Sequence, residues 1–248
     1  MPLITQQTFF SSGELWGIDS DALSTPSRFG TLQDVSIDFT FTQKELRGQN
    51  LFAEKVANSE GKIMGKAKFG RIDLVMFNNL YFGNTITSGR IRTVSKEAAA
   101  IPSATPWQVT VANAANFRSD LGVTDVTTGK RMEKVASTPA TGQYSVSTGG
   151  VYTFASADAN KAILIDYTYN DTTSGRTVSV VNTPSGLAPT FQVILREKDD
   201  SGEFGIQLLS CVSSKLTLAS KLGDYMIPEF DFAAFANASG QIANIFGE

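Results

Sequence analysis

The 248-residue sequence contains no histidine and one cysteine, Cys211. Without histidine the chain lacks the commonest general base, the commonest metal ligand and the usual partner of a serine or cysteine nucleophile. One thiol cannot close an internal disulfide, and it cannot build a thiolate–imidazole zinc site within one subunit. Its neighbours Leu208, Leu209, Ser210 and Val212 read as a strand, so Cys211 is expected to be a small buried residue in a reducing compartment. No apolar run approaches the roughly eighteen residues of a membrane helix. Residues 2–17 lack the basic start and apolar stretch of an export signal. A protein folded in a cytoplasm, without a membrane partner, is expected.

Charge is also sparse. A net charge of −3 gives no global electrostatic grip on nucleic acid. Its distribution is uneven, however. Residues 43–96 carry ten basic side chains (Lys44, Arg47, Lys55, Lys62, Lys66, Lys68, Arg71, Arg90, Arg92, Lys96) against four acidic ones (Glu45, Glu54, Glu60, Asp73). That local surplus of six leaves nine net negative charges elsewhere. A bipolar subunit suits head-to-tail contact with copies of itself; a solvated basic face accounts for the pattern equally well.

Carboxylate-only chemistry, as in glycosidases, survives these exclusions. Asp199–Asp200 and the pair Glu229/Asp231 are the candidates, and they read better as turn and strand-surface residues. Three motif near-misses fall away. Residues 61–67, from Gly61 through Lys66 to Ala67, are one spacer short of a phosphate loop and lack its magnesium-binding hydroxyl. Asn170 and Asn237 stand in glycosylation patterns that matter only after secretion. Asp158 sits among small turn formers and makes a poor calcium ligand. No catalytic, cofactor or metal residue is assigned, and the chain reads as a structural protein, not an enzyme.

What is abundant points to strands joined by turns: glycine and phenylalanine, with serine, threonine, valine and asparagine throughout. The first thirty residues, with Phe9, Phe10, Trp16 and Phe29, read as an extended arm with short strand pieces. Val35, Ile37, Phe39 and Phe41 then alternate with polar residues, one face toward a core. Residues 51–56 and 63–69 flank a polar stretch, 57–61, and predict a long hairpin with its tip there. Residues 73–82 predict a helix capped by Asp73 and ended by Gly83, with Ile72, Met76 and Leu80 on its inner face. A strand over 89–94 and a short helical turn over 96–100 follow.

From Pro102 the texture changes to short strands (108–111, 144–146, 151–154, 163–169) between turn formers. This predicts an inserted β-sandwich (Ig-like) module over 103–175 within a β domain made of 1–102 and 176–248. Longer strands return over 177–181, 191–197 and 204–218, with a turn at Asp199, Asp200, Ser201 and Gly202. Phe230 and Phe232 oppose Glu229 and Asp231 in a strand over 226–235, and one more short strand ends the chain.

Leu32-Gln33-Asp34-Val35-Ser36-Ile37-Asp38-Phe39 followed by Lys44-Glu45-Leu46-Arg47-Gly48 resembles the N-terminal strand and loop of phage tail tube proteins. So does Ile227-Pro228-Glu229-Phe230-Asp231-Phe232-Ala233-Ala234-Phe235-Ala236 with Gly240-Gln241-Ile242. The likeness spans residues 30–100 and 188–248. It implies a mainly β, half-barrel tail tube fold with one flanking helix and a long hairpin. It further implies a virion tail subunit, assembled in a bacterial host cytoplasm into hexameric rings that stack as a conduit for double-stranded DNA. The implied partners are other copies of the chain, a tape-measure protein, and tail terminator and distal tail proteins. By the same resemblance Lys44, Glu45, Arg47, Lys55, Asn58, Glu60, Lys62, Lys66 and Lys68 would lie at inter-subunit joints, though an exposed hairpin shoulder explains Lys44, Glu45 and Arg47 equally well. The module at 103–175 would project outside the tube. A capsid-decorating or tail-spike-type protein, or a carbohydrate-binding β module, remains the alternative.

Overall fold

Alternation of apolar and polar residues around Val35 builds a long two-stranded ladder, paired from Leu32↔Phe69 to Leu46↔Lys55. The computed structural model describes residues 8–9, 13–20, 25–182, 184–200 and 202–247. The fold is mainly β, in several antiparallel sheets, and divides into two units: residues 1–85 with 178–248, and Ile86–Thr177. In chain order the strands of the first unit begin with β1 (Glu14–Asp19), β2 (Ser27–Arg28), β3 (Leu32–Leu46) and β4 (Lys55–Phe69), followed by helix α1 (Leu74–Phe77). The second unit holds β5 (Ile86–Ala100), β6 (Gln108–Thr110), β7 (Phe117–Asp125), β8 (Glu133–Lys134), β9 (Gln143–Val146), β10 (Val151–Phe154) and β11 (Ala162–Val178). The chain returns to the first unit with β12 (Thr190–Asp199), β13 (Gly202–Thr217), β14 (Glu229–Ala234) and β15 (Ala243–Gly247).

The first unit is one sheet in the order β2-β1-β12-β13-β14-β4-β3, with β15 added alongside β13. Its core face is aromatic. Phe29, Phe69, Phe191, Phe230 and Phe232 are buried, with ring centroids 4.9 Å apart for Phe29–Phe69 and 5.9 Å for Phe191–Phe230. Tilted and edge-on pairs of this kind add to the apolar burial. Cys211 lies in the same core, fully buried, and burial pushes its thiol up to about 12. Gly65 faces Phe232 across the β4–β14 ladder, and a Cβ there would fall 2.2 Å from the ring. Gly65→Ala should therefore destabilise this unit by about 1–3 kcal/mol through overpacking, read as a lower denaturant midpoint; an unchanged midpoint would show that the ring can retreat.

The helix closes the core. Asp73 accepts from the Val75 and Met76 amides and caps α1 as expected, but regular α geometry ends at Phe77. Residues 78–82 form a π-helical turn, closed by Gly83 in the left-handed region at φ 63°. Buried Asn78 explains the widening, since its side chain donates to the Asn84 carbonyl at 2.6 Å and accepts from the Asn84 amide at 3.0 Å. Met76, Phe77 and Leu80 are buried, whereas Ile72, assigned above to the inner face, is exposed because it precedes the helix. Phe10 and Ser201, part of the expected arm and turn, lie outside the described residues.

The predicted hairpin exists in a different register. Strands β3 and β4 pair from Leu32↔Phe69 to Leu46↔Lys55, so the turn occupies residues 47–54. Residues 57–61 lie inside β4: Asn58 faces Gln43 and Gly61 faces Phe41. The turn formers at 57–61 are tolerated because a bulge beside Thr42 absorbs one residue there.

The second unit begins at Ile86 and not at 103, because β5 pairs with β11, in the order β5-β11-β7; β6-β10-β9-β8 forms another sheet. The helical turn expected at 96–100 is part of β5. Lys96 adopts φ 59° there while its amide donates to Asp166 Oδ1 at 2.7 Å, a local kink that leaves the strand intact. Strand β7 was not anticipated, and the strand expected at 177–181 is the end of β11 at Val178.

Buried acids tie this unit together. Asp158 is fully buried and accepts from the Gly142 amide at 2.8 Å and Lys161 Nζ at 2.7 Å, so it joins two loops. Asp171 accepts from the hydroxyls of Ser174 (2.6 Å) and Thr173 (2.8 Å) and from both their amides, with Arg92 3.6 Å away. The Ser174 and Thr173 hydrogen bonds hold its carboxyl far below the usual aspartate range. Its stabilising contribution is complete above the unfolded pKa, about 3.9, and is lost as pH falls toward the lower folded value. Asp171→Asn should thus lower the melting temperature at pH 7, and the gap to wild type should shrink in melts below about pH 4.

Candidate assembly surface

Strand β3 is a long edge strand. It pairs with β4 on one side, and among the described residues its other edge carries no ladder from Gln33 to Leu46. Long unprotected edges invite pairing with another chain.

The distal half of the β3–β4 hairpin also leaves the body of the sheet. Beyond Phe39↔Ile63 neither face of the hairpin meets a core, and nearly every residue from 38 to 62 is exposed. The segment is nevertheless apolar. Phe39 (44%), Phe41 (64%), Leu46 (63%), Leu51 (82%), Phe52 (80%) and Val56 (51%) are exposed to the stated fractions. The alternation that predicts a buried face is therefore real, but only its proximal part, Val35 and Ile37, packs against the core of its own chain. Loop closure is ordered, the Glu54 amide donating to the Leu46 carbonyl at 2.8 Å.

The residues assigned above to a joint separate into two groups. Lys44, Glu45, Arg47, Lys55, Asn58, Glu60 and Lys62 all lie on this projecting arm. Arg47 Nε donates to Glu45 Oε2 at 2.8 Å, which orients both side chains beside the turn. Lys66 and Lys68 lie in the body of the sheet instead, each with an acid of its own chain: Lys66–Glu229 at 2.7 Å and Lys68–Asp34 at 3.6 Å. Lys215 also reaches Glu229, at 3.2 Å. The local basic surplus is likewise divided, since Arg90, Arg92 and Lys96 belong to the second unit, the two arginines beside Asp171. The phosphate-loop near-miss is a straight part of β4, with no cradle of amides.

The Lys66 ammonium, aided by Lys215, holds the Glu229 carboxyl below the usual range, so it is a poor proton donor near neutrality. Asp231 stands beside it with Oδ1 enclosed and without a hydrogen-bond partner. With Asp34, Ser36 and Asp38 across the β3–β4 ladder, these residues make a polar sheet face of alternating sign, opposite the aromatic core face. Among the described residues, a cavity of about 690 Å³ beside α1 has one acid in its lining, Asp73, already engaged as the helix cap. Among the described residues no cluster of acids and thiols is grouped to hold a metal ion, and no helix is long and apolar enough to cross a membrane.

Sequence patterning alone missed the turn at 47–54. Gly48, Gln49 and Asn50 signal it, but adjacent Leu51 and Phe52 look like strand residues, because a sequence does not mark apolar residues that wait for another molecule. No protein-family model matches the chain, and no curated protein matches it.

Proposed function

We propose that this chain is a structural subunit, without catalytic activity, that assembles with copies of itself into stacked rings forming a phage-type tail tube. The observation that carries the reading is the arm of exposed apolar residues, together with a β3 edge that carries no ladder from Gln33 to Leu46 among the described residues. A ring whose subunits pair edge to edge leaves no edge open, and a head-to-tail interface that closes on itself produces one. Hexameric symmetry, and a tape-measure protein with terminator and distal tail proteins as further partners, follow from the tail tube resemblance.

The polar sheet face supports passage of double-stranded DNA through such a tube. Lys66, Lys68 and Lys215 each stand beside a carboxylate, which weakens the fixed phosphate contacts that would retard a moving duplex. The second unit, with a core of its own and no share in that sheet, fits an inserted sandwich-like decoration.

Negative-stain microscopy of the purified full chain tests the proposal. Hollow rings or tubes are expected. Compact trimers would favour a capsid-decorating or spike protein, and monomers that persist at high concentration would overturn self-assembly altogether.

A further inference from the structure

A second feature lies at the base of the arm. Between the base of the hairpin and the C-terminal segment lies an open groove of about 260 Å³, lined by Phe39, Phe41, Ile63, Ala234, Ile242 and Lys62. Gly61 leaves room for it: the Phe41 ring lies over this glycine, where a Cβ would come within 3.0 Å of the ring. The turn at the other end of the same hairpin presents Leu51 and Phe52, the two most exposed large apolar side chains on the arm. One molecule thus carries both an exposed apolar knob and an open, mainly apolar groove.

The knob cannot fill the hole of its own chain. Seven residue steps along β3 separate Phe39↔Ile63 from Leu46↔Lys55, so the turn stands roughly 20 Å beyond the groove at about 3.3 Å per residue. A hydrogen-bonded hairpin does not fold back over that distance. A knob of this kind can reach the groove only from another copy, and a contact that uses different surfaces on its two sides repeats from copy to copy.

We infer that Leu51 and Phe52 at the turn of one subunit insert into the Phe39–Phe41–Ile63–Ala234–Ile242 groove of the next. This rests on the self-assembly proposed above and specifies its contact. Burial of an aromatic anchor in a preformed pocket is the arrangement that concentrates binding energy at interfaces. It also explains why the outer half of an amphipathic strand pair keeps its apolar face although no core of its own covers it.

The test uses the chain's single native thiol to advantage, since Cys211 is fully buried. Full-length chains carrying Phe52→Cys alone and Ile242→Cys alone are mixed under mild oxidation. A disulfide-linked dimer is expected in the mixture and in neither preparation by itself. A chain with both substitutions should give a ladder of covalent oligomers. Phe52→Asp should abolish assembly with an unchanged circular dichroism spectrum, whereas Phe52→Leu should retain it. If the wild type forms rings or tubes but no mixed disulfide appears, or Phe52→Asp assembles as wild type does, the knob-and-groove contact is wrong while self-assembly stands; the groove then belongs to another partner or to none. A wild type that stays monomeric removes both.

Discussion

Replacing residues 43–59 by a two-residue Asn-Gly turn is expected to yield a folded protein that no longer assembles. Thr42 and Glu60 face each other directly in the β3–β4 ladder, so a tight hairpin turn can join them without a register slip. The deleted residues are exposed with the single exception of partly buried Ala53, and none belongs to the core of either unit. Their removal should leave the melting curve nearly unchanged, as expected for surface residues worth within about 0.5 kcal/mol each. Loss of the arm takes away its apolar contact cluster, and such clusters carry the largest share of interface energy. Assembly should weaken by at least about 100-fold, leaving a particle of 26.6 kDa less the deleted residues in multi-angle light scattering. Tubes of normal length from this variant would assign assembly to the β3 edge alone. A variant that fails to fold would show that the arm supports its own subunit, contrary to its exposure.

The second large effect is confined to the other unit. The Asp120 side chain is 4% exposed and gathers four donors. Tyr144 and Tyr152 donate their hydroxyls at 2.8 and 2.9 Å, the Gly122 amide donates at 3.0 Å, and Lys134 Nζ lies 3.1 Å away. Burial, and then the neighbouring carboxylate, push both tyrosine hydroxyls well above their ordinary range, so they remain protonated donors at any working pH. Asp120→Ala leaves buried hydroxyls without an acceptor, and each such group costs about 1–3 kcal/mol. A loss on the order of 3 kcal/mol is expected, with earlier unfolding of Ile86–Thr177 followed by near-ultraviolet tyrosine signals. Asn at this position keeps an acceptor oxygen and should recover part of the loss. If assembly of the Asp120→Ala chain persists, the inserted unit is dispensable for tube formation; if the unit melts at the wild-type temperature, Asp120 is not the tie described.

Several elements were legible in the residues themselves. The alternation from Val35 to Phe41 indicates a strand because side chains on a pleated backbone have a period of two, and β3 occupies that position. Asp73 and Gly83 mark the ends of a helical segment through local hydrogen bonding and left-handed backbone freedom, and both act there. Local rules fail where a distant partner decides. Residues 57–61 have turn chemistry yet lie within β4, because a 15-residue opposing strand offers more hydrogen bonds than an early turn. Lys96 to Ala100 has helical propensity yet extends β5, because β11 and Asp166 supply its backbone partners.

The absence of histidine and the lone cysteine narrow the available chemistry without reference to any fold, since functional groups that are not encoded cannot be positioned. The alternating patterns likewise determine a mainly β protein, because amphipathic period is a local property of the chain. Only tertiary structure decides which apolar residues are used internally. Ile37 and Phe41 share one face of one strand, but Ile37 meets the core while Phe41 projects past its edge. That difference is set by where the sheet and its helix stop, a geometric fact about distant residues that no local pattern encodes.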